Sequence, residues 1–210
     1  MAYDHEEQEQ LAQLKAWWND HGNFVLGALA AVALALSGWL GWRAWHDEQS
    51  AKAGTLYESL TRAVREGDAK ALREAGGALA ENYPKSLYAS MGALVAARAH
   101  FERGDAKNAK AQLQWVLERS ASEALRDIAR LRLAALLLDE KAYDEALKLL
   151  EAKHAEPFAA QYAALKGDIL TAKDQAAEAK AAYRLALEKS DRKNESFRAG
   201  VQMRLDALGG

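Results

Sequence analysis

The pattern of hydrophobic and polar positions changes once along this chain. Between Asp20 and Arg43 lie 22 residues without a formal charge, His21 counted neutral, and the apolar run is densest from Phe24 to Trp42. At 1.5 Å per residue a helix of that length spans roughly 30 Å, the thickness of a bilayer core. The pattern therefore predicts a transmembrane helix over residues 23–45, preceded by a short tail, 1–22. Beyond it, over 46–210, apolar residues recur at three- and four-residue spacing, the period of amphipathic helices.

The tryptophans sharpen the first element. Trp17 and Trp18 precede the apolar run, and Trp39, Trp42 and Trp45 close it, so five of the six indoles flank it. Indole prefers the headgroup region, apolar on one side and hydrated on the other, and a buried core helix has no need of such a belt. A cleaved signal peptide is the rival reading, but its first region should be basic. Residues 1–23 hold only Lys15 against five acids, and the small-x-small triplet Ala33-Leu34-Ala35 lies inside the run instead of after it. An uncleaved anchor fits better. Orientation stays open on charge: Lys15 before the span, with Arg43 and Lys52 after it, does not support a cytoplasmic N-terminus. Gly27, Ala31 and Ala35 share one face, as do Ala33, Ser37 and Gly41, a spacing that lets membrane helices pack closely.

The second region is periodic at a longer scale. Residues 87–120 and 121–154 form 34-residue units, and 155–190 is a looser third copy, each reading as helix, turn, helix. The turns carry Arg103-Gly104-Asp105, Glu140-Lys141-Ala142 and Ala172-Lys173-Asp174. Glycine suits the left-handed residue after a helix and aspartate the next N-cap. Ala97, Ala134 and Gly167 take one small site in the first helices, and Ala109, Ala146 and Ala179 the small site of the second helices. Four residues on come the bulky Leu113, Leu150 and Tyr183. This is the tetratricopeptide pattern, without its signature tryptophan. Residues 54–86 read as a divergent earlier hairpin, where Gly67-Asp68-Ala69-Lys70 anticipates Gly104-Asp105-Ala106-Lys107. Residues 191–210, with Phe197, Val201, Leu205 and Leu208 at helical spacing, read as a capping helix. Pro84 and Pro157 fall where a helix has ended. The fold class expected is all-α: one N-terminal transmembrane helix followed by a tetratricopeptide-like α-solenoid.

Such repeats stack into a solenoid whose concave side is the default binding surface. The register places Met91, Leu94, Phe101, Ile128, Leu131 and Leu138 toward that side, as an apolar groove suited to extended or partly unfolded polypeptide. Each of these residues also has a reading as inter-repeat core.

Composition narrows the chemistry. Only two prolines occur, and alanine and leucine dominate. Residues 1–45 hold five acids and two bases, and the remainder 25 acids and 26 bases, so no basic footprint for nucleic acid is present. The absence of cysteine excludes disulfides, thiol catalysis and cysteine-based metal sites. His5, His21, His46, His100 and His154 are scattered, with no pair at helical metal-ligand spacing. His21 and His46 mark the expected membrane interface. No phosphate-binding loop, dinucleotide fingerprint, nucleophile elbow or zincin motif occurs. Pairs such as Glu145/Lys148 and Glu178/Lys180 read as solvated faces. A protein-binding scaffold is expected, not an enzyme, with no cofactor and no metal.

The order of features, a short acidic tail, a tryptophan-flanked span and alanine-rich repeats to the end, resembles the YfgM-like family, the ancillary subunits of the bacterial Sec translocon. The likeness covers almost the whole chain. Its nearest stretches are Ala109-Lys110-Ala111-Gln112-Leu113, Leu131-Arg132-Leu133-Ala134, Leu165-Lys166-Gly167-Asp168-Ile169-Leu170 and Ala181-Ala182-Tyr183. The resemblance implies an inner-membrane, single-pass protein with a cytoplasmic N-terminus and periplasmic repeats. It also implies association with the SecYEG channel and the periplasmic chaperone PpiD, the repeats holding or passing on emerging secreted chains. The competing reading is a membrane-tethered regulator that sequesters a soluble signalling partner.

Overall fold

The computed structural model describes residues 2–209, with side chains from Gln10 onward. The acidic side chains of the first nine residues, and His5, lie outside the described residues. Among the described residues there are nine α-helices, one 3-10 turn and no strand. The helices are α1 (Ala2–Glu66), α2 (Ala69–Asn82), α3 (Leu87–Glu102), α4 (Ala106–Arg119), α5 (Glu123–Asp139), α6 (Tyr143–Leu150), α7 (Ala159–Ala172), α8 (Ala176–Lys189) and α9 (Glu195–Ala207). The chain divides into two compact units, Met1–Gln49 and Ser50–Gly210.

The first unit is helix, and its most apolar stretch has no buried residue. Phe24, Leu26, Leu29, Val32, Leu34, Leu36 and Leu40 are all exposed. A helix apolar on every side is buried in protein or in lipid, and no other described part of this chain covers it. By length and composition it can cross a membrane. The two ends are built alike. Trp17 stacks on His21 with ring centroids 5.3 Å apart, and Trp42 on His46 at 5.6 Å, each pair one helical turn apart. The guanidinium of Arg43 lies 5.6 Å from the centre of the Trp39 ring, a cation–π contact.

The second unit is a stack of helical hairpins. α3 pairs with α4, α5 with α6 and α7 with α8, while the first helices α3, α5 and α7 also adjoin in order, and α9 closes the stack against α8. The end of α1 joins this unit: Leu60 and Ala63 are buried with Leu72 and Leu79 of α2 and with Ala96 and Ala99 of α3. The aligned small sites are all inside. Ala97, Ala109, Ala134, Ala146 and Ala179 are 2% exposed or less. The bulky residues one turn on, Leu113 and Tyr183, are equally buried, with Leu150 close behind. At Gly167 the fit is tightest: a Cβ there would sit 2.5 Å from Cε1 of Tyr183.

The turns follow local chemistry. Gly67 and Gly104 adopt φ of 74° and 77°, a region open to glycine at little cost. Asp68 and Asp105 then cap α2 and α4, the first accepting from the amides of Lys70 and Ala71 and the second from that of Asn108. The later turns differ from the glycine–aspartate expectation. Lys141 and Asp174 take the left-handed position themselves, with φ of 63° and 59°. Ala142 and Gln175 stand at the N-caps without a side-chain bond. Aspartate tolerates the left-handed region better than most residues, and there Asp174 substitutes for glycine instead of capping. Pro84 lies between α2 and α3, and Pro157 sits in the 3-10 turn Glu156–Phe158 that leads into α7.

Because Tyr183 fills the space beside Gly167, Gly167→Ala should destabilise the repeat unit by about 1–3 kcal/mol through overpacking. Urea or thermal unfolding of the full-length protein in detergent measures this, and an unchanged midpoint would show that the α7–α8 contact has room to spare.

Candidate functional site

The first helices of successive hairpins form a wall, and depressions on that wall are the candidate recognition surface. Between α3 and α5 a groove of about 310 Å³ is lined by Ala97, Arg98, Phe101, Leu113, Arg132, Ala135, Leu136 and Asp139. A second depression of about 320 Å³ is lined by Val64, Leu94, Val95, Arg98, Ala99, Glu102 and Arg132. Arg98 and Arg132 line both, so the two are parts of one surface.

The six residues expected at a groove do not all meet there. Phe101 lines it and is half exposed, at 49%. Leu94 lines the second depression but is only 6% exposed and belongs to the core. Ile128, Leu131 and Leu138 are half-buried and packed against that core. Met91 is half-buried and lines neither depression. The physical reason is helical rotation: successive residues turn by about 100°, so one position of register moves a side chain from a groove to a neighbouring repeat.

The arginines were not signalled by an apolar-periodicity reading, yet they dominate the surface. Arg98 Nε donates to Glu102 Oε1 at 2.7 Å. Arg132 Nη1 donates to the Leu94 carbonyl at 3.2 Å. Burial, and after it the like charge of Arg98, lowers the pKa of Arg132 from its ordinary value. The groove thus combines one open aromatic ring, an aliphatic floor and two guanidiniums. Among the described residues no group of three or more histidine, aspartate or glutamate side chains could hold a metal ion.

Two polar nodes, one buried at Asp127 and one half-buried at Asp168, join neighbouring hairpins. Asp127, 3% exposed, accepts from Arg130 Nη1 at 2.6 Å, from the Tyr162 hydroxyl at 3.0 Å and from the Ala155 amide at 3.0 Å. It thereby ties α5 to the segment after α6 and to α7. The His154 ring stacks on Tyr162 with centroids 4.0 Å apart. Burial pushes the Tyr162 phenol up to about 12, so near neutral pH it remains a donor to Asp127. Further along, Asp168 accepts from the Tyr183 hydroxyl at 2.9 Å, and Arg204 of α9 reaches both its oxygens at 3.1 Å. Burial raises the pKa of Asp168 against the opposing pull of those donors.

A helix that can cross a membrane, joined in one chain to stacked hairpins with an apolar groove, defines a membrane-anchored helical-repeat protein. A tetratricopeptide repeat-like domain family matches residues 15–210. An ancillary SecYEG translocon subunit of Haemophilus influenzae is 33% identical over 189 residues, covering 89% of this chain and 91% of its own length. That of Neisseria gonorrhoeae is 30% identical over 212 residues, covering 99% and 100%. That of Escherichia coli K12 is 32% identical over 189 residues, covering 88% of each. No solved structure matches at a significant level. The chain belongs to the tetratricopeptide repeat-like family and, within it, to the ancillary SecYEG translocon subunits.

Two substitutions on α3 should separate core from groove. Leu94→Glu buries a charge and should cost about 3 kcal/mol or more, enough to unfold a marginal domain. Phe101→Glu should leave helicity and melting temperature within about 0.5 kcal/mol of the parent, as for an open site. Circular dichroism melts of both decide, and a folded Leu94→Glu protein would return Leu94 to the groove. At the polar node, Asp127→Ala strands Arg130 and the Ala155 amide, and should cost about 3 kcal/mol in chemical unfolding.

Proposed function

We propose that this chain is a single-pass inner-membrane scaffold whose repeats serve the secretion machinery. In this reading residues 1–22 are a cytoplasmic tail, 23–45 the span, and 46–210 a periplasmic repeat domain. The span places the protein beside the SecYEG channel. The groove on α3 and α5 receives unfolded or emerging secreted chains, and the repeats also meet the periplasmic chaperone PpiD. One observation carries the reading: a lipid-suited helix and an apolar, arginine-edged groove occur in one chain whose relatives over nearly their full length are ancillary SecYEG translocon subunits. The chaperone and the orientation come from the family resemblance alone.

The chemistry of the groove fits the task. Stretches of a chain leaving a channel are unfolded and present apolar side chains without fixed structure. A half-exposed phenylalanine beside aliphatic walls accepts such side chains with little sequence demand, and weak contacts spread along a wall allow release. Arg98 and Arg132 offer donors to the carbonyls and carboxylates of the same chain.

Photo-cross-linking from Phe101 and Ala135 in intact membranes should recover SecY, PpiD and a secreted client during active export. Recovery of none of the three would sink the proposal. Protease added to spheroplasts should digest the repeats; full protection would place them in the cytoplasm and favour the tethered regulator.

A further inference from the structure

A larger depression lies elsewhere on the repeat unit, between α4, α5 and α6, with a volume of about 680 Å³. Its origin is the short sixth helix. α6 stops after eight residues, whereas α4 and α8 each run for fourteen. Beyond Leu150 the chain enters a turn, and the Ala155 amide is then held by Asp127. One wall of the trough therefore ends at Ala152.

The lining has two characters. Leu133 and Leu137 of α5 and Leu149 of α6 make an apolar floor, and on the α4 side Ala111 leaves room for close approach. Around them stand Lys107, Lys110, Arg130 and Lys148 against a single carboxylate, Glu145. Two of the cations are already engaged: Lys110 pairs with Glu140 at 2.6 Å, and Arg130 with Asp127. Lys107 and Lys148 are exposed, on facing walls, and form no ion pair among the described residues.

The geometry points to this trough as a docking site for an acidic amphipathic helix of a partner protein. Its apolar side chains would lie along Leu133, Leu137 and Leu149, and its carboxylates would meet Lys107 and Lys148. Charge complementarity fixes the sign of the partner. Shape fixes its form, because the walls are themselves helices. The α4 wall, from Lys107 to Gln114, extends about 10 Å, close to two helical turns. No strand exists among the described residues to be extended by an added one. A nucleic acid is a poorer fit, since its phosphates need a longer basic track than a few cations around an apolar floor. The inference is independent of the groove on α3 and α5.

The test uses the full-length protein in non-ionic detergent and two fluorescein-labelled amphipathic peptides. One is built from leucine, alanine and glutamate, and its counterpart carries lysine at every glutamate. Anisotropy should show binding of the acidic peptide, weakening with salt, and none of the basic one. Lys107→Glu with Lys148→Glu should weaken binding about ten-fold or more through reversed rim charge. Ala111→Trp should weaken it similarly by filling the trough with the charges intact. Phe101→Glu should leave it unchanged, which keeps this site distinguishable from the client groove. Failure of the acidic peptide to bind, equal binding of both peptides, or unchanged affinity in both trough variants would overturn the proposal.

Discussion

The repeat unit depends on helix backbones coming close enough that only a hydrogen or a methyl group fits between them. Ala97, Ala109, Ala134, Ala146, Gly167 and Ala179 supply that closeness, and Leu113, Leu150 and Tyr183 fill what remains. Interiors pack at crystalline density, so each such contact fixes both distance and angle. No single hairpin could bury these faces alone; each needs its neighbour. The wall that carries the groove is a by-product of this constraint, because stacking hairpins on their small sites lines up the first helices α3 and α5 side by side.

Polar contacts then do what close packing cannot: they set how one hairpin turns against the next. Asp127 joins α5 to Ala155 and Tyr162, 28 and 35 residues further on, and Asp168 joins α7 to α8 and α9. Buried carboxylates are costly without donors and specific with them. Here they stand at the junctions of hairpins, where apolar packing alone would permit small rotations. Neither aspartate lines the groove between α3 and α5.

How much of this was readable in advance varies by element. The small and bulky sites were legible because they recur with the repeat, and recurrence survives the divergence of everything between. The turn glycines were legible because few residues accept a left-handed backbone. Asp174 was not, since aspartate suits both an N-cap and that conformation, and only the backbone decides between them. Of the residues expected at a groove, the structure fixes only where each side chain sits. Phe101 lines the depression between α3 and α5, whereas Ile128, Leu131 and Leu138 pack half-buried against the core, and apolar periodicity cannot tell a groove from an inter-repeat seam. Arg98 and Arg132 carried no sequence signal, because an arginine on a helix is ordinary until a second faces it. The short α6, and the trough it opens, was hidden behind a repeat whose length is nevertheless regular.

The paired rings of the first unit act as a ruler. Trp17 and Trp42 are 25 positions apart, about 37 Å along a straight helix, against a hydrocarbon core of about 30 Å. Both indoles can therefore sit in the headgroup layers at once, and an upright helix leaves slack at each face. In a thinner bilayer that slack grows, and the helix must lean to keep both rings at their preferred depth. The anchor is thus sensitive to the thickness of the membrane around it. Lipid deformed near a protein channel would change its lean without any contact between the two.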